Sequence, residues 1–173
     1  TSNFDSLKWI SLRKLENVDS INIGNYKNLM NFGIEECENL KYVHVHDAQN
    51  YMSVQIENSI SENDFEINLE NCRDARLSFT GNIISDSFIF TSDSSQYGLS
   101  FFNCDFENNK PDFFSTFKYV NDLHIESNIT TKTYFSDLPY LKDLEIKSVF
   151  AEDEDRQKQL TRLFLNNLPV LMF

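Results

Sequence analysis

Two histidines, His44 and His46, stand two apart in the run Tyr42-Val43-His44-Val45-His46. On a strand, that spacing puts both imidazoles on one side. Matching Val45 with Leu69 in the next run of the same kind sets Glu70 beside His46, making two imidazoles and a carboxylate, a set that could hold a divalent metal. The plainer reading is a pair of solvated histidines between inward Val43 and Val45. No sequence-local second shell is evident, so the expected metal and cofactor content is none. A second group, Asp122, His124, Glu126, Asp143, Glu145 and Lys147, mixes acids with a basic partner, the types that acid–base cleavage of a polymer needs. Alternating outward charges are also what any solvated sheet face presents, and the chain is read as non-catalytic. Cys37, Cys72 and Cys104 lie far apart along the chain, with no CxxC among them. Neither a disulfide framework nor a zinc knuckle follows from that spacing, whereas buried reduced thiols at strand-end corners do.

The elements that would position these residues come from a repeat. Leu29, Phe32, Ile34 and Cys37 are followed by Leu40, Val43, Val45 and Ala48, then by Tyr51, Val54, Ile56 and Ser59. Each set reads apolar-x-x-apolar-x-apolar-x-x-small, and the starts at Leu29, Leu40 and Tyr51 are evenly spaced. The apolar-x-apolar centre has the period of a strand with one buried face, and so short an interval leaves no room for helices between strands. Taking every second copy gives starts at Leu7, Leu29, Tyr51, Asp74, Gln96, Val120 and Leu141. Their corner residues are Leu15, Cys37, Ser59, Asn82, Cys104, Asn128 and Val149. Small or polar side chains suit corners where strand-end backbone groups need partners. The other copies, centred on Ile23, Val45, Leu69 and Phe90, are expected as short back-face strands in the N-terminal half. The expected fold is a parallel β-solenoid of about seven coils with one main parallel sheet, a single domain over residues 1–173.

The corner pattern resembles that of the leucine-rich repeat superfamily, LxxLxLxxN or LxxLxLxxC at intervals of roughly 20 to 29 residues. The likeness is clear at residues 29–37, 120–128 and 141–149 and degenerate at Asp74 and Gln96. Receptor L domains and F-box-type repeat proteins are weaker relatives. The resemblance implies a non-catalytic module that recognises a macromolecule through the exposed face of its sheet. A β-helix that cleaves acidic polysaccharides has coils of similar length and is a lesser alternative.

Across the coils, the outward positions fall into three rows. The central row is Ser11, Gly33, Gln55, Ser78, Ser100, His124 and Glu145. One flank is Trp9, Asn31, Ser53, Arg76, Gly98, Asp122 and Asp143; the other is Arg13, Glu35, Glu57, Thr80, Phe102, Glu126 and Lys147. The expected binding residues are Trp9, Arg13, Glu35, Glu57, Arg76, Phe102, Asp122, His124, Glu126, Asp143 and Glu145. Trp9 and Phe102 are the aromatic anchors.

With 27 acids against 15 bases the net charge is −12, which repels nucleic acid and anionic membranes and suits a protein partner with a basic surface. No apolar run approaches the roughly 18 residues of a membrane span. Odd, unpaired cysteines point to the cytosol or nucleus, while the sequon Asn128-Ile129-Thr130 points to a secreted or surface adhesion solenoid instead. Pro111 and Pro139 replace the second strand by turns or 3₁₀ pieces after Cys104. Residues 152–165, acidic first and basic later, read as an amphipathic helix. Leu168-Pro169-Val170-Leu171 opens a further repeat cut at Phe173, so a fragment of a longer chain that self-associates through this end is expected.

Overall fold

The computed structural model describes residues 6–24, 26, 28–48, 52–60, 64–72, 74–85, 87–93, 96–106, 110–129 and 132–147, and the strand 162–166. In chain order the elements are β1 (Trp9–Arg13), β2 (Ser20–Gly24), β3 (Asn31–Glu35), β4 (Tyr42–His46), β5 (Met52–Glu57), β6 (Glu66–Glu70), β7 (Ala75–Thr80), β8 (Ile89–Ser92) and β9 (Tyr97–Asp105). A 3₁₀ turn (Phe113–Thr116), β10 (Val120–Asn128), β11 (Lys132–Ser136), β12 (Asp143–Lys147) and β13 (Arg162–Asn166) follow. A seven-stranded front sheet runs β1-β3-β5-β7-β9-β10-β12, a four-stranded back sheet runs β2-β4-β6-β8, and β11 pairs with β13. Every strand pairing among the described residues is parallel, as expected of a chain that winds in one direction. The architecture is a parallel β-solenoid.

Period-two alternation explains which face is which. In β5, Met52, Val54 and Ile56 are buried and Gln55 and Glu57 are exposed; in β3, Phe32 and Ile34 are buried. A one-residue slip would carry the whole apolar set of a strand into water, so burial pins the register. The core is ring-rich. Phe79 stacks on Phe101 with centroids 5.2 Å apart, and Phe88 meets Phe79 edge-on at 5.5 Å. Such pairs add about 0.5–1.5 kcal/mol each beyond burial.

With few glycines, the corners are turned by left-handed residues. Lys14 (φ 55°), Glu36 (52°), Asn58 (46°), Gly81 (64°) and Asn103 (50°) sit at the same place in five successive front coils. The first four donate their N–H groups to Glu35, Glu57, Thr80 and Phe102 carbonyls in the next coil. Behind them, the Cys37 N–H donates to Ser59 Oγ, and both Ser59 N–H and Ile60 N–H donate to Asn82 Oδ1. The ladder ends with the Cys104 N–H on Ser127 Oγ at 3.0 Å. Ser127, not the expected Asn128, therefore takes the corner. The pairing shifts register there, from Glu126–Phe102 to Asn128–Asp105, so β9 carries one extra residue and the corner of β10 comes one residue early.

Four expectations need correction. The solenoid makes about five turns rather than seven, because the back sheet stops at β8 and a phenylalanine-rich 3₁₀ turn closes the next coil. There Phe113, Phe114 and Phe117 are buried. Phe90 pairs with Ile67, and Ser92 stands beside Leu69, so the last back strand is two residues out of its expected register; stacking of Phe65 on Phe88 at 5.8 Å accompanies this shift. Residues 132–136, expected as a turn, form β11. Finally, the described part of the expected 152–165 helix is a strand: Arg162–Asn166 pairs parallel with β11, Leu163 beside Thr133 and Leu165 beside Phe135. Leu163 and Leu165, two apart, match the strand period, and a paired backbone ladder outweighs the small dipole advantage of charge order. Residues 152–161, the Leu168–Phe173 end, Tyr51 and Val149 lie outside the described residues.

Candidate functional site

The three outward rows are in register across all seven front strands. Trp9 pairs with Asn31, Ser11 with Gly33 and Arg13 with Glu35, and the same matching continues to Asp122–Asp143, His124–Glu145 and Glu126–Lys147. All the expected binding residues therefore share one face, but as three groups rather than one patch.

At the N-terminal side Arg13 lies 3.1 Å from Glu35 and 3.2 Å from Glu36, and Lys14 lies 3.0 Å from Glu36. Hydrogen bonds from Lys14 and Arg13 hold the Glu36 carboxyl below its ordinary range, and the Glu36 bond raises Arg13. Lys14 and Glu36 are not among the expected site residues. They occupy the left-handed corner, and a charged side chain at that recurring place is the signal that could have found them. Glu57 continues this flank beside Glu35, and Trp9 stands apart on β1, 68% exposed.

In the middle, Arg76 on β7 reaches across β9 to bring its guanidinium 3.8 Å from Asp122 on β10. It can do so because position 98 is glycine. A Cβ there would press on the Arg76 stem at 3.3 Å, so the missing side chain is the channel in which the arginine lies.

The densest group surrounds His124. Its Nδ1 lies 2.7 Å from Glu145 Oε2, Glu145 Oε1 lies 2.8 Å from Lys147 Nζ, and the imidazole sits 5.0 Å from the Phe102 ring. Glu126 Oε2 is 3.6 Å from His124 Nε2, too far for a hydrogen bond, which leaves that buried nitrogen without one. The Lys147 hydrogen bond, then its charge and that of His124, hold the Glu145 carboxyl below the usual range, and Lys147 is raised in return. A carboxylate held ionised in this way is a poor proton donor; it is suited to pairing with a cation. Asp143 faces Asp122 across β10 and β12.

On the back sheet His46 is beside Glu70 in register, but the Glu70 carboxylate turns to His44, 3.2 Å from Nε2. His46 Nδ1 meets Asp47 Oδ2 at 2.9 Å, and Asn71 Nδ2 donates to Asp47 Oδ1 at 2.6 Å. These contacts, His46 first, lower the Asp47 carboxyl. Asp47 directly follows His46 in the sequence, and that adjacency is the signal that could have found it. Cys37, Cys72 and Cys104 are free and buried. Burial raises the Cys72 thiol and pushes Cys104 up to about 11. No protein-family model, curated protein or solved structure matches this chain.

Proposed function

We propose that the chain is a leucine-rich-repeat-like, non-catalytic module that binds a protein partner on the front sheet. The observation that supports this is the unbroken register of three outward rows over seven strands. It presents a small-residue centre (Ser11, Gly33, Ser78, Ser100), flanking charges already oriented by one another, and aromatic rings at Trp9 and Phe102. Charges held by their neighbours lose little side-chain entropy on binding, and small central residues allow close approach. Carboxylates at Asp122, Glu126, Asp143 and Glu145 fit a partner with a basic surface. The corner ladder through Cys37, Ser59, Asn82 and Cys104 favours the leucine-rich-repeat likeness. Buried free thiols favour the cytosol or nucleus.

Photo-crosslinking in cells tests this. A photoreactive residue at Gln55 or Ser100 on the front, or at Asn68 on the back, is placed in the full-length protein. The front positions should give one shared protein adduct that disappears with Trp9→Ala and Phe102→Ala. Adducts from Asn68 alone, or front adducts indifferent to both substitutions, contradict it.

A further inference from the structure

The end of the stack at β1 and β2 is open among the described residues. Each is the outermost strand of its sheet. Asn31 N–H donates to the Lys8 carbonyl and Lys14 N–H to the Glu35 carbonyl, so by alternation the backbone groups of Trp9, Ser11 and Arg13 point away from β3. On the back, Tyr42 N–H donates to the Asp19 carbonyl, and the same alternation leaves Ser20, Asn22 and Gly24 pointing away from β4. The inward side chains are uncovered too. Ile10, Leu12 and Ile23 are half-buried, whereas Phe32, Ile34 and Val45 beside them in the next coil are at most 1% exposed.

Exposed edges are ordinarily blunted by charge, proline or a bulge. β12, at the other end of the front sheet, carries Asp143, Glu145 and Lys147. In contrast, β1 and β2 together hold one charge, Arg13, no proline and no irregular pairing. Residues 6–24 have three bases, Lys8, Arg13 and Lys14, against two acids, Glu16 and Asp19, in a chain of net charge −12. Acidic self-repulsion between copies is therefore weak at this end.

We propose that two copies of the chain join here, β1 of each pairing antiparallel with β2 of the other. Asn22 falls midway along the chain between Ser11 and its β3 neighbour Gly33, so β1 and β2 stand opposite one another across the core. Each coil climbs one strand spacing, which leaves β1 protruding and β2 recessed by half a spacing. A twofold axis parallel to the strands seats the protruding β1 of each copy on the recessed β2 of the other, making both contacts at once. Ser11 then faces Asn22, Trp9 faces Gly24 and Arg13 faces Ser20 of the second copy. These are the residues whose backbone groups point off the edge, so each pair exchanges two hydrogen bonds. Ile10 and Leu12 meet Ile23 and Ile21, joining the two cores. Trp9, 68% exposed, comes beside the His46 ring that lies over Gly24, and Asp19 comes to the Arg13 and Lys14 end. Stacking head to tail in the parallel register would instead set Lys147 against Arg13, like charge on like.

Sedimentation equilibrium of the chain tests this, with a dimer of twice 20.3 kDa expected. Ser11→Pro and Asn22→Pro place the ring where an N–H points off the edge, so each leaves its own coil's ladder intact. Each should sediment as a monomer with unchanged circular dichroism. Cysteine pairs keep the test decisive should a proline variant misfold. Facing residues of this kind have Cα atoms about 5.5 Å apart, within reach of a disulfide, and the native thiols are buried. A mixture of Ser11→Cys and Asn22→Cys chains should oxidise to a covalent heterodimer, and neither variant should link to itself. A monomeric parent, self-linking of either variant, or linking of Ser11→Cys to Glu145→Cys as a head-to-tail stack requires, overturns the proposal.

Discussion

The backbone N–H of Cys37 donates to the hydroxyl of Ser59 at 3.0 Å, 22 residues and one full coil later. The same relationship recurs from Ser59 to Asn82 and from Cys104 to Ser127. Each coil thus satisfies the strand-end backbone of the coil before it, and the corner side chains hold the stack together.

Asn82 carries most at this corner. It accepts from Ser59 N–H and Ile60 N–H and donates to the Ile56 and Thr80 carbonyls, while 1% exposed. Asn82→Ala leaves the buried Ser59 and Ile60 N–H groups without their acceptor, while the Thr80 carbonyl keeps the Asn58 N–H, and with about 1–3 kcal/mol for each unsatisfied group a loss of at least about 2 kcal/mol is expected. Ser59→Ala should cost less, about 1–2 kcal/mol. Urea denaturation of both variants measures the order; equal losses would remove the ladder's role.

The ladder also marks how far the sequence can be read. All three outward rows are legible in it, because strand alternation combined with the fixed repeat spacing leaves one register that keeps Phe32, Ile34, Val54 and Ile56 inside. What is not legible depends on contacts between coils. Ser127 displaces Asn128 through an irregular pairing with β9, and ring stacking accompanies the two-place shift of Phe90. Residues 162–166 become a strand because β11 offers a backbone to pair with. On the back sheet, strand matching alone points His46 to Glu70 one strand away, whereas Asp47 beside it supplies the carboxylate.

Ile34→Asp should unfold the domain and Glu35→Ala should not. Ile34 is 1% exposed in the middle of its coil, and an unpaired buried carboxylate there costs more than about 4 kcal/mol. Glu35 loses only an exposed ion pair with Arg13, under about 1 kcal/mol. Similar melting temperatures for the two variants would contradict the register of β3.

The thiols should react slowly when folded. Burial disfavours the thiolate at Cys72 and Cys104, and the thiolate is the reacting form. Labelling at mild alkaline pH should be complete only after denaturant is added. Linkage gives a second consequence. The Cys104 pKa is raised on folding from 9.0 to about 11, so the folded state keeps a proton that the unfolded state releases. The stability linked to that proton is fully present below pH 9.0 and is lost as pH rises through about 11. Cys104→Ala should therefore lose less stability than the parent over that interval. A parallel decline in both proteins would rule the linkage out.

The Glu145 carboxyl depends first on Lys147. In Lys147→Gln its titration, followed by carboxyl carbon NMR, should move back up toward the ordinary carboxylate value. No movement would mean that the pair does not persist in solution.

A continuous in-register front face is tested most directly by electron-spin distances from one label at Ser11 to a second at Ser100, His124 or Glu145. These positions lie four, five and six strands along the central row. At about 4.8 Å per strand the separations should rise evenly, to roughly 19, 24 and 29 Å before label length is added. Distances that fail to increase in that order would contradict the parallel stack and the shared face built on it.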